Sequence, residues 1–327
     1  MKKIVLTGGG TAGHVMPNIA LLPYLNNCEI HYIGGNGIEK ELLSGYKNVT
    51  YHEIPCVKYI RGVSMKNLLI PFKLIKSLSA ARKIIKEIKP DVIFTKGGYV
   101  SLPVALSAGK IPVITHESDM SMGLTNKLIR RKCKYVCTAF DVTATGIKNG
   151  VYTGAILRRE LRTGTRKSSS PTLLVMGGSL GSAAINNCLS ECLKDLTKKY
   201  NVIHIVGKGN LSDQAMPHYK QIEFTSSMAD VYADADLIIS RGGANSLFEI
   251  AALGKKALII PLPKGASRGD QIENAAYFSE RGLVKVLPQN ELNAERLIKE
   301  LNALEAFTPA SFHVDGTKKV ASLILSV

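Results

Sequence analysis

Apolar positions fall in short β-branched runs, each followed by a stretch with helical spacing, through most of the 327 residues. In the first half, runs at Lys3–Thr7, Glu29–Ile33, Val92–Thr95, Val113–Thr115 and Tyr135–Thr138 predict strands. The stretches Pro17–Leu25, Ile38–Leu43, Pro71–Ile88, Pro103–Ala108 and Thr125–Ile129 predict the helices between them. Such alternation predicts an α/β fold with a mostly parallel sheet. The rhythm breaks at 161–171, where Arg162 to Pro171 has linker composition, and restarts with strands at Thr172–Met176, Val202–Val206, Leu237–Ser240 and Ala257–Ile260. Helices are expected there at Ala183–Lys199, Ser246–Leu253 and Asp270–Arg281. Two Rossmann-like domains follow, residues 1–160 and 172–310, joined by a linker at 161–171.

Composition narrows the class. The chain is 45% hydrophobic and 21% charged, ordinary globular values, and no apolar run reaches the roughly 18–20 residues that span a bilayer. The run Ile4-Val5-Leu6 after Lys2-Lys3 is too short for a signal-peptide core, so it reads as the first strand of a cytoplasmic protein. Six cysteines occur, with Cys133/Cys137 and Cys188/Cys192 each four apart; neither pair has zinc-site spacing, and buried thiols in a reducing compartment are the expectation.

The net charge of +16 is the outlier, and it attracts phosphorylated substrates or anionic lipid. Basic residues crowd the first half, from Lys66, Lys73, Lys76 and Arg82 to Arg130 and Arg131. Over 68–86 they are interleaved with Leu68, Leu69, Ile70, Phe72, Leu74, Ile75 and Leu78, a pattern open to two readings. One is a helix lying on an anionic membrane; the other is a helix packed on its own sheet with lysines in solvent. Nucleic acid ranks below both, since there is no Trp and no reader motif.

Four strand ends run into glycine: Gly8-Gly9-Gly10-Thr11-Ala12-Gly13-His14, Gly97-Gly98-Tyr99, Gly177-Gly178-Ser179 and Gly242-Gly243-Ala244. Such turns bring backbone N–H groups and a helix's positive end to a phosphate or sugar. Four of them, two per half, predict parallel sheets facing a central ligand cleft. Gly8-x-Gly10-x-x-Gly13 also fits a dinucleotide fingerprint, but the acidic residue that should end the second strand is missing from Tyr32-Ile33-Gly34-Gly35-Asn36. No P-loop signature occurs.

His14 stands at a helix start, whose dipole would favour a neutral imidazole able to act as base, although it could equally cap or pack. His116-Glu117-Ser118-Asp119 puts a carboxylate at a strand's ligand-facing end. Glu249, one turn into its helix, could accept both ribose hydroxyls, and Asp270, Gln271 and Asn274 open a helix with groups suited to sugar hydroxyls or to capping. Asp234-Ala-Asp236 matches a D-x-D metal motif but precedes its strand, away from the glycine turns; no metal or cofactor is expected, with assistance by a divalent cation left open. Helix dipoles and N–H groups would then stabilise a leaving diphosphate.

In this order and spacing the motifs resemble the MurG family, the bacterial UDP-N-acetylglucosamine transferases of glycosyltransferase family 28, from about residue 3 to 300. The resemblance implies a GT-B fold and an inverting transfer of GlcNAc from UDP-GlcNAc to the MurNAc 4-hydroxyl of lipid I, giving lipid II. It also implies a peripheral place on the cytoplasmic face of the bacterial cell membrane, and a final helix within 311–327 packed back on the first domain. Thr11, Ala12, Gly13, Asp119, Arg158, Ser179, Phe224, Thr225, Met228, Ala244, Asn245, Ser246, Leu247, Glu249, Asp270, Gln271 and Asn274 would bind the donor, and Gly10, Gly97, Gly98 and Tyr99 the acceptor. His14 or Glu117 would be the general base. The chain departs from the family pattern at Asp119, usually Asn, at Ala155-Ile156, usually Asn-Pro, and at Asp270, usually His or Gln. A transferase for another lipid such as diacylglycerol, a dehydrogenase and a basic membrane-binding module are the rival readings.

Overall fold

In a computed structural model that describes residues 1–56, 70–178, 180–225, 227–265 and 268–327, each strand with a continuous apolar run is buried on both faces. Ile4, Val5 and Leu6 are fully buried although they alternate sides, which requires helices above and below the sheet. The chain forms two units, Met1–Arg158 with Asp315–Val327, and Arg159–Val314.

The first unit runs β1 (Lys2–Thr7), α1 (Ala12–Leu21), β2 (Cys28–Gly34), α2 (Ile38–Leu43), β3 (Val49–Glu53), α3 (Ile70–Ile88), β4 (Val92–Thr95) and α4 (Ser101–Ser107). It continues with β5 (Val113–Glu117), α5 (Leu124–Ile129), β6 (Tyr135–Thr138), α6 (Asp141–Thr145) and β7 (Gly150–Tyr152). All seven strands are parallel, in the order β3-β2-β1-β4-β5-β6-β7. Ile4 is in register with Ile30 on one side and Val92 on the other, so strand order reverses at β1. Ile4 and Leu6 pack with Val15 and Ile19 of α1, while Val5 packs on the other face with Ala81 and Ile85 of α3 and Val104 of α4.

The second unit holds β8 (Thr172–Met176), α7 (Ala183–Leu196), β9 (Asn201–Ile205), β10 (Tyr219–Ile222), α8 (Met228–Asp234), β11 (Leu237–Ser240) and α9 (Ala244–Ala252). Then come β12 (Lys256–Ile259), α10 (Asp270–Glu280), β13 (Lys285–Val286) and α11 (Ala294–Glu305). Its parallel sheet has the order β10-β9-β8-β11-β12-β13, and Leu173, Val175, Leu237 and Ile239 pack on Ile185, Leu189 and Leu301.

The last helix, α12 (Thr317–Leu325), belongs to the first unit and adds Val320, Ala321 and Ile324 to the core beneath α1. Its entry is clamped to the 154–157 segment: Leu157 N–H donates to Thr317 Oγ1 at 2.8 Å, and Gly316 N–H to the Ala155 carbonyl at 2.8 Å.

The stretch 161–171, read as linker, is tied to the second unit. Arg166 makes a bidentate pair with Asp236 at 2.7 and 2.8 Å, and the backbone N–H groups of Lys167 and Ser168 donate to Asp234 Oδ1. The D-x-D carboxylates are thus bound to the chain that leads into β8. Two helix starts also differ from expectation. The first helix begins at Ala12, not Pro17, because Pro17 lies in its second turn where the ring is accommodated; α9 begins at Ala244, not Ser246. The His116-Glu117 pair ends β5 instead of following it.

Candidate active site

The strand order places the glycine turns. In the first sheet β1 and β4 are neighbours and the chain leaves them in opposite directions, so the turns Gly8–Thr11 and Gly97–Val100 lie side by side at the carboxyl ends. In the second sheet β8 and β11 are neighbours in the same way, joining the turns after Met176 and Ser240. Each unit therefore has one switch point with two glycine turns, the place where open parallel sheets bind ligands.

In the first unit the β1 turn is braced from behind. The buried Glu39 carboxylate accepts from Gly10 N–H at 3.2 Å and Gly35 N–H at 2.9 Å, and the Tyr32 hydroxyl donates to the Gly8 carbonyl at 2.6 Å. Thr11 is extended, exposed and puts no side-chain cap on α1, so the first-turn amides of this helix are directed past Ala12 and Gly13. Gly10 takes φ +84, and a Cβ there would come within 2.5 Å of Tyr99 Cε1, so the Tyr99 ring lies directly over the turn.

The β4 turn is pinned to α4 and α5. Ser101 Oγ donates to the Gly97 carbonyl at 2.8 Å and Thr125 Oγ1 to the Gly98 carbonyl at 3.0 Å. Gly98, at φ +82, abuts the Gly9 carbonyl and the His14 ring, which is half-buried at the start of α1. Asn126 carries the connection on to Glu117: its Nδ2 donates to Glu117 Oε2 at 2.9 Å while its Oδ1 accepts from Thr115 Oγ1 at 2.7 Å. Glu117 also accepts from the backbone N–H groups of Asp119 (3.1 Å) and Gly123 (2.8 Å). Its buried carboxylate shapes the turn that carries Asp119, and three donors already engage it. A base for substrate is better sought in His14.

Two buried cationic or basic groups complete this end. Lys96, the last residue before the β4 turn, is 2% exposed and donates from Nζ to Ser118 Oγ at 2.5 Å. Burial pushes its ammonium down to about 8 against the opposing pull of Glu117, Asp119 and Cys137. His116 is fully buried with Nε2 against the Gly154 carbonyl at 3.0 Å; burial, and then the Lys96 charge, hold it well below the usual imidazole range. It is neutral, with Nε2 carrying the proton.

In the second unit the β11 turn meets the start of α10. Asn274 Nδ2 donates to the Gly242 carbonyl at 3.3 Å, and Gln271 Oε1 accepts from Leu262 N–H at 3.0 Å, which fixes the amide end that can donate. Arg241, buried at the end of β11, donates to the Ile260 carbonyl at 3.0 Å and to Ser182 Oγ at 2.6 Å. Ser182 in turn caps α7, so one guanidinium ties both glycine turns together. Glu249 Oε2 accepts from the Tyr232 hydroxyl at 3.1 Å. Ala244 and Leu247 are buried at the start of α9, with Asn245 and Ser246 half-buried beside them. Phe224 is exposed after β10, Thr225 follows it and Met228 opens α8. Asp270 pairs with Arg268 at 3.7 Å. Ser179 lies outside the described residues.

The structure thus gathers Gly10, Thr11, Ala12, Gly13, His14, Gly97, Gly98 and Tyr99 at one switch point, with Glu117 and Asp119 joined to them through Asn126. In the other unit it gathers Gly242 with Gln271 and Asn274. Arg158 is half-buried at the end of the first unit's long segment. Sequence reading missed Lys96, Asn126, Arg241 as a brace, and Glu39 as the buried carboxylate behind the turns. A lysine closing the apolar strand Val92–Thr95 was the one signal that could have raised Lys96.

Known proteins match along the chain. The glycosyltransferase family 28 N-terminal domain matches residues 4–138 and the family's C-terminal domain residues 172–322. A Clostridium tetani protein named UDP-N-acetylglucosamine--N-acetylmuramyl-(pentapeptide) pyrophosphoryl-undecaprenol N-acetylglucosamine transferase is 45% identical over 93% of this chain and 90% of its own. A Clostridium kluyveri protein of the same name is 44% identical over 99% of both. Among solved structures, that of Acinetobacter baumannii MurG aligns with a TM-score of 0.76 at 28% identity, covering 100% of both chains.

Proposed function

The chain belongs to glycosyltransferase family 28, and from that premise we propose how its two switch points carry out the transfer that its relatives are named for. It is a GT-B glycosyltransferase that moves N-acetylglucosamine from UDP-N-acetylglucosamine to N-acetylmuramyl-(pentapeptide) pyrophosphoryl-undecaprenol, turning lipid I into lipid II. The observation that carries the division of labour is the pairing of glycine turns within each sheet, with His14 against Gly98 in one and Gln271 and Asn274 about Gly242 in the other.

The second unit holds the donor at its switch point. Glu249 accepts the ribose hydroxyls, Phe224, Thr225, Met228 and Ala244–Leu247 line the nucleotide, Ser179 and, from the end of the first unit's long segment, Arg158 bind the diphosphate or sugar, and Asp270, Gln271 and Asn274 meet the sugar. In the first unit Thr11, Ala12, Gly13 and Asp119 bind the donor, and Gly10, Gly97, Gly98 and Tyr99 receive the acceptor. The muramyl 4-hydroxyl attacks the anomeric carbon in line, the bond to the diphosphate oxygen breaks, UDP departs and the configuration inverts. His14 takes the hydroxyl proton, supported by its fixed place between the two turns. Helix starts and backbone N–H groups stabilise the leaving diphosphate without a resident cofactor.

The acceptor is lipid-borne, and no described helix is long and apolar enough to cross a membrane. The outer face of α3 supports peripheral attachment to an anionic surface on the cytoplasmic side. Phe72 and Ile75 are 68% and 62% exposed there, beside exposed Lys73, Lys76, Arg82, Lys83 and Lys86. Nucleic acid is not among the proposed partners.

The test is a transfer assay with UDP-N-acetylglucosamine and a lipid I analogue, with and without EDTA. Turnover that survives EDTA supports the cofactor-free reading, and a strict metal requirement overturns that part. Transfer to diacylglycerol but not to the lipid I analogue would overturn the acceptor.

A further inference from the structure

Lys96 has no part in the transfer steps above, yet it lies under the residues that perform them. It ends β4, immediately before the turn that holds Gly98 against His14, and its Nζ bonds Ser118 Oγ at 2.5 Å. Ser118 sits between Glu117 and Asp119, the two carboxylates whose charge Lys96 feels most. The other titratable groups facing it are the neutral His116 on β5 and the Cys137 thiol on β6. Glu117 is fixed in place by Asn126 and by the N–H groups of Asp119 and Gly123. Asp119, half-buried on the same turn, is the second carboxylate acting on the ammonium, after Glu117. A buried ammonium costs folding energy unless charge and hydrogen bonds offset it, so a lysine at this position calls for such a partner.

We propose that Lys96 is a positioning residue for glycosyl transfer, anchoring the Ser118–Asp119 turn through Ser118 Oγ and opposing the charge of Asp119 so that this carboxylate is presented to the donor sugar. The assignment rests on the transfer reading and on Asp119 as a sugar contact. It couples Lys96 and Asp119: the cation offsets an acid that the turn carries, and a neutral amide at 119 would lessen the need for it.

The experiment compares wild type, Lys96→Met, Lys96→Arg, Asp119→Asn and the Lys96→Met/Asp119→Asn double variant, each checked for folding by thermal melting. With UDP-N-acetylglucosamine and a lipid I analogue, Lys96→Met is expected to lower kcat/KM by about tenfold or more in the wild-type background and several-fold less in the Asp119→Asn background. Wild-type kcat/KM should also fall above a pH of about 8 as the ammonium loses its proton, and Lys96→Arg, whose guanidinium stays charged, should remove that fall. If Lys96→Met fails to fold, the Lys96→Arg and Asp119→Asn pH profiles decide: an alkaline limb unchanged in both overturns the proposal. Equal losses in the two backgrounds overturn it while wild-type turnover keeps the transfer reading intact. A wild type inactive on this substrate pair overturns both.

Discussion

His14 and Gly98 are fitted to each other: a Cβ on Gly98 would stand 3.0 Å from His14 Cδ2 and 2.5 Å from the Gly9 carbonyl oxygen. The ring therefore rests on bare backbone of the neighbouring turn, and the proposed base is located by two strands at once. Gly98→Ala should move the ring or distort the turn. Strain of this kind is worth roughly 1–3 kcal/mol, so urea unfolding should show a loss of that size in the first unit, together with a fall in kcat. An alanine variant with wild-type turnover would mean that the fit is without consequence for catalysis.

His14→Ala should lower kcat by roughly 10²- to 10⁴-fold, the usual contribution of general acid–base catalysis, while titration with UDP shows little change. Unchanged turnover would remove His14 from the mechanism. Glu117→Gln separates the two base candidates. It can keep a carbonyl at the Oε2 position for Asn126 and Gly123 but sets an NH2 group against the Asp119 N–H that Oε1 now accepts, so its loss should come with lower thermal stability, unlike that of His14→Ala.

Glu249→Ala should raise the KM for UDP-N-acetylglucosamine and weaken UDP binding by roughly 1.5–3 kcal/mol, the range for hydrogen bonds to a charged group. Tyr232→Phe removes only the hydroxyl that reaches Glu249 Oε2 and should cost about 0.5–1.5 kcal/mol. Calorimetric titration with UDP reads both, and a larger effect from Tyr232 than from Glu249 would contradict the ribose assignment.

Acid should loosen the second unit through His204. Burial lowers its pKa from 6.5 to about 4, and its ring nitrogens are held by Tyr219 at 2.9 Å and Asn186 at 3.0 Å. The unfolded chain binds the proton first, so stability is constant above about 6.5 and declines as pH falls toward 4. One such group contributes a slope of at most about 1.4 kcal/mol per pH unit. Unfolding curves across this window should show the decline, and His204→Gln should flatten it.

Ile324→Ala should destabilise the first unit by about 2–5 kcal/mol, the ordinary cost of emptying a fully buried aliphatic site. Separate unfolding transitions for the two units would show which of them weakens.

Much of the fold is legible in the chain because buried parallel strands must be continuously apolar and ligand turns must be glycine-rich. Val92–Thr95, Tyr135–Thr138 and Thr172–Met176 stand out for that reason. Strands β3, β7 and β10 do not: Val-Thr-Tyr-His-Glu, Gly-Val-Tyr and Tyr-Lys-Gln-Ile lie toward sheet edges, where half-exposed positions take polar residues. Pro17 misplaces the first helix start because proline usually opens a helix, whereas the buried helix α1 contains it. The glycine turns and His14 are visible as motifs, but their pairing depends on β1 lying beside β4, and sequence separation hides that. Lys96, Glu39 and Asn126 act through contacts with residues 22, 29 and 9 positions away, so no local pattern marks them.

The clamp between Leu157 and Thr317 joins residues 160 positions apart in the sequence. On the ribosome the first 158 residues emerge long before Val320, Ala321 and Ile324, so α1 must wait with an apolar surface uncovered while the second unit is made. The second unit, contiguous from Arg159 to Val314, has no such delay and can finish first. The order of synthesis and the order of completion are therefore reversed. A chain stalled before α12 would present a nearly finished unit with an open hydrophobic face, a natural mark for chaperones or for degradation.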